Sequence, residues 1–217
     1  MIKVEFHCHT EYSTDSLVKI DVLIAAARKK GLDRVVITDH NEIAGALLAR
    51  ELAPGLVIVG EEVMTTQGEL LAFFIERKVP KGLTPEAAIH ELRAQEAFIS
   101  VAHPFDNTRS GSWKLENLQR IAPLVDAIEV FNSRCFSNHA NRRALEFARE
   151  HYLPGIVGSD AHAAFELGRA RLILPDFSNA EELKAALAEA RQQVHMSPYW
   201  VHFISRWARW TKRRFQA

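Results

Sequence analysis

Short apolar runs alternate with amphipathic stretches along almost the whole chain, and this alternation limits the possible folds more than any other feature. The runs at residues 2–6, 35–38, 56–59, 98–102, 127–131 and 155–158 have the length and composition of buried strands, with two more at 69–75 and 171–174. Helical patterns lie between them at residues 20–30, 43–52, from Thr84, 115–122 and 138–150, and another runs from Ser178 to about Val194. Gly31 closes the first as a C-terminal cap. Thr84-Pro85-Glu86 opens the third with an N-cap, a proline at the first position and an early acid, and Ser178 with Glu181 forms a capping box. Strand–helix–strand order of this kind gives a parallel sheet wrapped by helices, either a barrel or a doubly wound sheet. About seven such units fit, against eight in a standard barrel of about 250 residues, so a smaller or distorted barrel is expected.

The 217 residues suit one main domain, and 47% apolar with 25% charged residues is too apolar for a disordered chain. Cys8 and Cys135, the only cysteines, cannot make a disulfide framework, and no secretory apolar segment precedes the first strand. A reducing cytoplasm is therefore expected.

Histidines and carboxylates cluster at the C-terminal ends of these strands. His7 and His9 follow the first, Asp39 and His40 the second, Glu61 and Glu62 the third, His103 the run at 98–102, and Asp160 and His162 the run at 155–158. Parallel α/β folds build active sites on that rim, because the loops leaving the strands converge there. In His7-Cys8-His9, alternate residues share a face, so two imidazoles can meet one metal or neighbouring metals while Cys8 faces away. Asp160-Ala161-His162 repeats that spacing with mixed ligands. Asp39 is a candidate to orient His40 rather than to bind metal. Glu61 and Glu62 face opposite ways in an extended segment, so at most one is a ligand. Glu129 is an acid within an apolar strand, expensive to bury alone, and needs either an arginine or a histidine as partner. Arg134 and Arg169 follow candidate rim strands, where they could grip a phosphate or form surface salt bridges.

Taken together, His7-Cys8-His9-Thr10, Thr38-Asp39-His40, Ala102-His103-Pro104 and Gly158-Ser159-Asp160-Ala161-His162 resemble, in order and spacing, the four motif blocks of the PHP family, the polymerase and histidinol phosphatase superfamily of metal-dependent phosphoesterases. The resemblance covers residues 1–195 and implies a distorted (β/α)7 barrel. It further implies two or three divalent ions (Mn, Zn, Fe or Mg) held by His7, His9, Asp15, His40, Glu62, His103, Asp160 and His162. Glu62 is favoured over Glu61 because Gly60-Glu61-Glu62-Val63 matches the family's Gly-x-Glu-Val pattern. Two departures stand out. Thr14-Asp15-Ser16 replaces a frequent Asp-Gly, and Glu69-Leu70-Leu71-Ala72 stands where many members have a histidine. Either Glu69 replaces that imidazole as an oxygen ligand, favouring harder ions, or the third metal position is weak or absent.

The implied activity is hydrolysis of a phosphoester by metal-activated water, with Asp39, Arg134 and Arg169 assisting. A phosphorylated metabolite, a nucleotide and an oligonucleotide end are all candidate substrates. The alternatives are amide or other non-phosphate hydrolysis on the same barrel, and a non-catalytic metal-binding module. No oligomeric state is readable.

Residues 196–217 form a second unit by composition. They hold Arg206, Arg209, Lys212, Arg213 and Arg214 and no acid, together with Trp200, Trp207 and Trp210. Since the whole chain has 27 basic and 27 acidic residues, the remainder carries 22 against 27, a net of −5. Trp200, Phe203, Ile204, Trp207 and Thr211 fall on one helical face. The expectation is a helical extension whose tryptophan face docks on the barrel away from the catalytic rim, leaving the arginines in solvent. Binding of a nucleic-acid backbone and a membrane-surface helix are the alternatives, although a membrane is not among the expected partners.

Overall fold

A computed structural model describes residues 1–215, with side chains through Arg214. In chain order the elements are β1 (Ile2–Cys8), α1 (Ile20–Lys29), β2 (Arg34–Ile37), α2 (Ala44–Leu52), β3 (Val57–Met64), β4 (Glu69–Phe73), α3 (Pro85–Arg93), β5 (Phe98–Val101), α4 (Leu115–Ile121), β6 (Ala127–Asn132), α5 (Asn138–Glu150), β7 (Gly155–Gly158), β8 (Ala170–Leu174), α6 (Ala180–Ala186), β9 (Arg191–Val194) and α7 (Val201–Phe215). Helix α1 shows the local logic. Ile20, Leu23, Ile24 and Ala27 recur at helical spacing and are buried, and Gly31, at φ +64°, ends the helix in the left-handed conformation that costs a glycine least.

The strands form one sheet in the order β7-β6-β5-β4-β3-β2-β1-β8-β9. Strand β7 then comes round to β1, where Cys8 bridges Ala161 in parallel and His9 N donates to Ala161 O at 2.9 Å. The result is a distorted barrel of β1 to β7, with β8 and β9 flanking β1. Phe6 and Phe73 lie on strands three places apart in the sheet, so their ring contact at 5.6 Å requires the sheet to curl. With Phe98 and Phe177 they fill the interior.

Three expectations need correction. The sheet is mixed rather than parallel: β4 runs antiparallel to β3 and β5, and β8 to β1 and β9. The reversal at β4 brings its first residue, Glu69, level with Met64 on the rim. The last sequence-predicted helix stops at Ala186, and Arg191–Val194 is strand β9 instead. Its ladder with β8 overrides local helix propensity, and its exposed polar side chains suit a sheet edge. The capping box also sits one residue on, with Asn179 accepting from Glu182 N at 2.9 Å and the Glu182 carboxylate accepting from Ser178 N at 2.7 Å.

Helix α7 docks the opposite way from expectation. Val201, Ser205 and Ala208 face the barrel, while Phe203, Trp207 and Trp210 are 67%, 59% and 54% exposed. Polar anchors decide this orientation. The Arg134 guanidinium donates to Val201 O at 3.0 Å and to the Ser205 hydroxyl, Ser197 N donates to Ser133 O at 2.7 Å, and Arg169 donates to Met196 O. Lys212 donates to the carbonyls of Glu11 and Ser13, and Arg209 meets Asp15 at 3.1 Å. The helix therefore lies on the rim, not away from it, and these two cations are engaged. No helix among the described residues is long and apolar enough to cross a membrane.

Candidate metal centre

Strand β1 carries His7 and His9 to the barrel mouth, their ring centroids 5.1 Å apart, while the Cys8 thiol is buried against Val36 O. On His7, Nδ1 meets Glu129 Oε1 at 2.9 Å, which fixes the proton there and leaves Nε2 facing Glu62 Oε2 at 3.3 Å and Asp160 Oδ1 at 3.6 Å. Glu129 also accepts from His103 N at 2.7 Å and from the Asn132 amide, so histidine support rather than an arginine pair explains this buried acid.

Asp39 works one step further back than expected. Its carboxylate accepts from Thr10 N and Thr10 Oγ1 at 2.6 Å each and from Ser13 Oγ at 2.9 Å. Ser13 Oγ in turn lies 3.0 Å from His9 Nδ1 and accepts from His40 N at 3.0 Å. Asp39 thus orients the His9 ring through Ser13, and its link to His40 is the backbone N–H that the same Ser13 hydroxyl accepts. Burial, and then the neighbouring His162 and His40, push His9 down to about 3, so its ring is neutral with a lone pair on Nε2.

Glu62 is the hub. Its carboxylate lies 2.9 Å from His103 Nε2, 3.0 Å from His40 Nδ1 and 3.4 Å from His9 Nε2. Glu61 points elsewhere, accepting from Val79 N at 2.9 Å, as strand alternation requires. Asp160 Oδ1 is 3.2 Å from His9 Nε2, and Asp15 bridges His162 Nε2 at 3.3 Å and His40 Nε2 at 3.6 Å. Glu69 joins the same group, 3.6 Å from His103 Nε2 and 3.8 Å from His40 Nδ1. All nine residues expected as ligands therefore meet at one mouth. His103 and Asp160 hold positive φ angles of 24° and 53°, backbone strain of the kind that functional sites retain.

The electrostatics describe a site built to hold positive charge. Burial opposes ionisation throughout, yet the carboxylates raise His7 and His40 well above the ordinary imidazole range. The histidines in turn hold Glu62 and Asp15 well below the usual carboxylate range, and Arg109, then His7, does the same for Asp160. His9 Nε2, Asp15 Oδ1, His103 Nδ1 and Asp160 Oδ1 are buried without a hydrogen bond, and such orphaned atoms are rare in folded proteins. Four overlapping sets, His9/His40/His162, His7/Glu62/His103, His7/His9/Asp160 and His40/Glu62/Glu69, each present ligand atoms within 4.8 Å of one another. Mixed imidazole and carboxylate donors suit Zn, Mn or Fe.

Above this floor opens a cleft of about 1000 Å³ whose walls include Lys78, Lys81, Arg109, His202 and Arg209. Sequence reasoning missed Arg109, which lies 2.6 Å from Asp160 and 3.0 Å from Asp106. Its only signal was its place in the loop after β5, where rim residues collect. Arg134 lines the cleft too, but it is 3% exposed and committed to α7. Arg169 does not line the cleft; it holds Met196 O.

Gly158 lets β7 pass close beneath the cluster. A Cβ there would lie 2.4 Å from His7 Cβ and 2.5 Å from Glu129 Oε1. Gly158→Ala should therefore cost about 1–3 kcal/mol, measured by urea denaturation, and weaken metal retention as His7 is displaced.

Comparison with known proteins follows the same lines. Residues 5–104 match the profile described as the PHP domain, and residues 138–191 the one described as PHP-associated. Two Methanocaldococcus jannaschii proteins, both described as uncharacterized, are similar to this chain. MJ0417 is 34% identical over 172 residues (78% of this chain, 69% of that protein), and MJ1587 is 33% identical over 146 residues (61% and 82%). Among solved structures, PsfC from Pseudomonas syringae has a TM-score of 0.69 at 19% identity, covering 97% of this chain and 98% of that one. A Bifidobacterium adolescentis protein provisionally described as a metal-dependent phosphoesterase has 0.64 at 18%, covering 85% and 95%. An amidohydrolase from Chromobacterium violaceum has 0.65 at 14%, covering 88% and 98%. At these identities the structural likeness is one of fold.

Proposed function

The chain belongs to the PHP domain family, and from that premise we propose that it is a metal-dependent hydrolase of phosphoesters. One observation carries the reading: a floor of imidazoles and carboxylates lies beneath walls carrying Lys78, Lys81, Arg109 and Arg209. Such a cleft suits an anion whose charge exceeds that of a neutral amide. Its volume of about 1000 Å³ is at the upper end for a small-molecule pocket, which favours a phosphorylated metabolite or nucleotide.

His7, His9, His40, Glu62, His103, Asp160 and His162, with Asp15 and Glu69, would hold two or three divalent ions. When bound, such ions make water a nucleophile near neutral pH and neutralise charge on phosphate oxygens. Glu129 keeps the proton of His7 on Nδ1, and Ser13 keeps the His9 ring turned inward. Arg109, beside Asp160, can orient a phosphoryl oxygen through the fixed fork of its guanidinium. Lys81 and Arg209 add positive charge at the mouth. A cysteine nucleophile is disfavoured, since burial pushes both Cys8 and Cys135 far above the ordinary thiol range.

The test is a hydrolysis panel with protein loaded separately with Mn, Zn, Fe or Mg. It contains phosphomonoesters, phosphodiesters, nucleoside monophosphates and an amide. Metal-dependent phosphoester turnover, abolished by chelator and restored by added ion, is the expected result. Turnover of the amide alone would favour the amidohydrolase reading, and metal binding with no turnover a non-catalytic module.

A further inference from the structure

The outer face of α7 is a feature that the hydrolytic reading leaves unused. Phe203, Trp207 and Trp210 recur at i, i+4 and i+7, so they form one stripe along the helix, opposite the buried Val201, Ser205 and Ala208. Each ring is more than half exposed, and Trp200, 53% exposed, extends the patch to Phe165 at a centroid distance of 5.2 Å. Arg206, Arg213 and Arg214 lie on and beside the stripe, with the Arg214 guanidinium 5.2 Å from the Trp210 ring centre. Contiguous exposed aromatic surface is costly in water and marks an interaction site.

Charge and shape select the occupant. Residues 196–217 hold five cations and no acid, while the rest of the chain is net negative. An anionic surface therefore attracts this face and repels most of the body. The stripe is the convex side of a helix, with no groove in which a single-stranded nucleic acid could track its backbone. A second copy docking face to face would crowd the Arg206, Arg213 and Arg214 charges of both copies into one interface. Tryptophan rings flanked by arginines, on a helix anchored by its other side, match the anatomy of a helix lying in a membrane interface.

We propose that the outer face of α7 docks this protein on an anionic membrane surface, with Phe203, Trp207 and Trp210 entering the headgroup region and Arg206, Arg213 and Arg214 meeting lipid phosphates. The inference does not depend on the hydrolytic activity.

Sedimentation of the full-length protein with phosphatidylcholine vesicles, and with vesicles of phosphatidylcholine and phosphatidylglycerol, tests it. Binding is expected only to the second, with a blue shift of tryptophan emission and weakening as salt rises. Arg206→Gln/Arg213→Gln/Arg214→Gln should lower affinity by on the order of a hundredfold, at about fivefold per arginine. Trp207→Ala/Trp210→Ala should lose the blue shift and most of the binding. Both variants alter solvent-facing side chains and should keep the wild-type circular dichroism and melting temperature. Equal binding to both vesicle types, vesicle binding unchanged in both variants, or no vesicle binding at all would overturn the proposal. Oligonucleotide binding or dimerisation without vesicle binding would overturn it in favour of those partners.

Discussion

Glu62→Gln should cut metal-dependent turnover by on the order of a thousandfold or more and strip at least one divalent ion from the purified protein. Glu62 is fully buried and touches four imidazoles, with contacts of 2.9 Å to His103, 3.0 Å to His40, 3.3 Å to His7 and 3.4 Å to His9. No other side chain in the cluster joins all four. Glutamine keeps the size and one carbonyl oxygen but removes the charge, so packing survives while the electrostatic centre does not. Its amide would also point donors at ring nitrogens or an ion. Elemental analysis and a melting curve separate the two contributions. Lost metal with a retained fold gives Glu62 a ligand role; retained metal and turnover would reject it.

Most of this cluster was legible because two local rules coincide. Histidines and acids just beyond apolar runs mark strand ends, and strand ends of parallel α/β folds share a rim. His7, His9, His40, His103, Asp160 and His162 all obey both rules. Glu69 obeys neither, since it begins a strand. It reaches the rim only because β4 reverses, a fact of sheet topology that no local pattern contains. The family resemblance could flag the position but gave no physical reason for it.

What was misread follows from the same limit. Arg-Gln-Gln-Val has no apolar alternation, so β9 exists through its ladder with β8 and not through its own pattern. Arg109 sits in an irregular loop, where spacing carries no information about direction. For α7, amphipathicity identified which residues share a face but not which face docks. A tryptophan stripe suggested burial, whereas the structure buries the side with small residues at Ser205 and Ala208, where Arg134 can reach the helix backbone. Arg134, which the sequence offered as a phosphate grip or a salt-bridge former, lines the cleft with its guanidinium tied to α7. The assignment of Asp39 to His40 missed because Ser13, the link that redirects it to His9, is an ordinary loop serine in the sequence.

If Arg134 is the anchor of α7, Arg134→Met should be among the most destabilising single changes in the molecule, costing about 3–5 kcal/mol in urea denaturation. Arg134 is 3% exposed and Glu166 fully buried, with Nε 3.6 Å from a Glu166 Oε2 that makes no hydrogen bond. Burial drives the Glu166 carboxyl up, and the Arg134 charge works against that rise. Methionine fills much of the arginine stem's volume but leaves Glu166 with an uncompensated buried charge, and it abandons Val201 O and Ser205. Glu166→Gln removes the charge that needs compensation, so Arg134→Met/Glu166→Gln should be more stable than Arg134→Met alone by about 1–3 kcal/mol. The coupling separates two contributions: the recovered part belongs to the buried ion pair, and the unrecovered part to the tether on α7. Tryptic cleavage after Arg206 and Arg209 should accelerate in both Arg134 variants as the helix loosens. A loss under about 0.5 kcal/mol, with cleavage unchanged, would mean that Arg209 on Asp15 and Lys212 on the first loop hold α7 without Arg134.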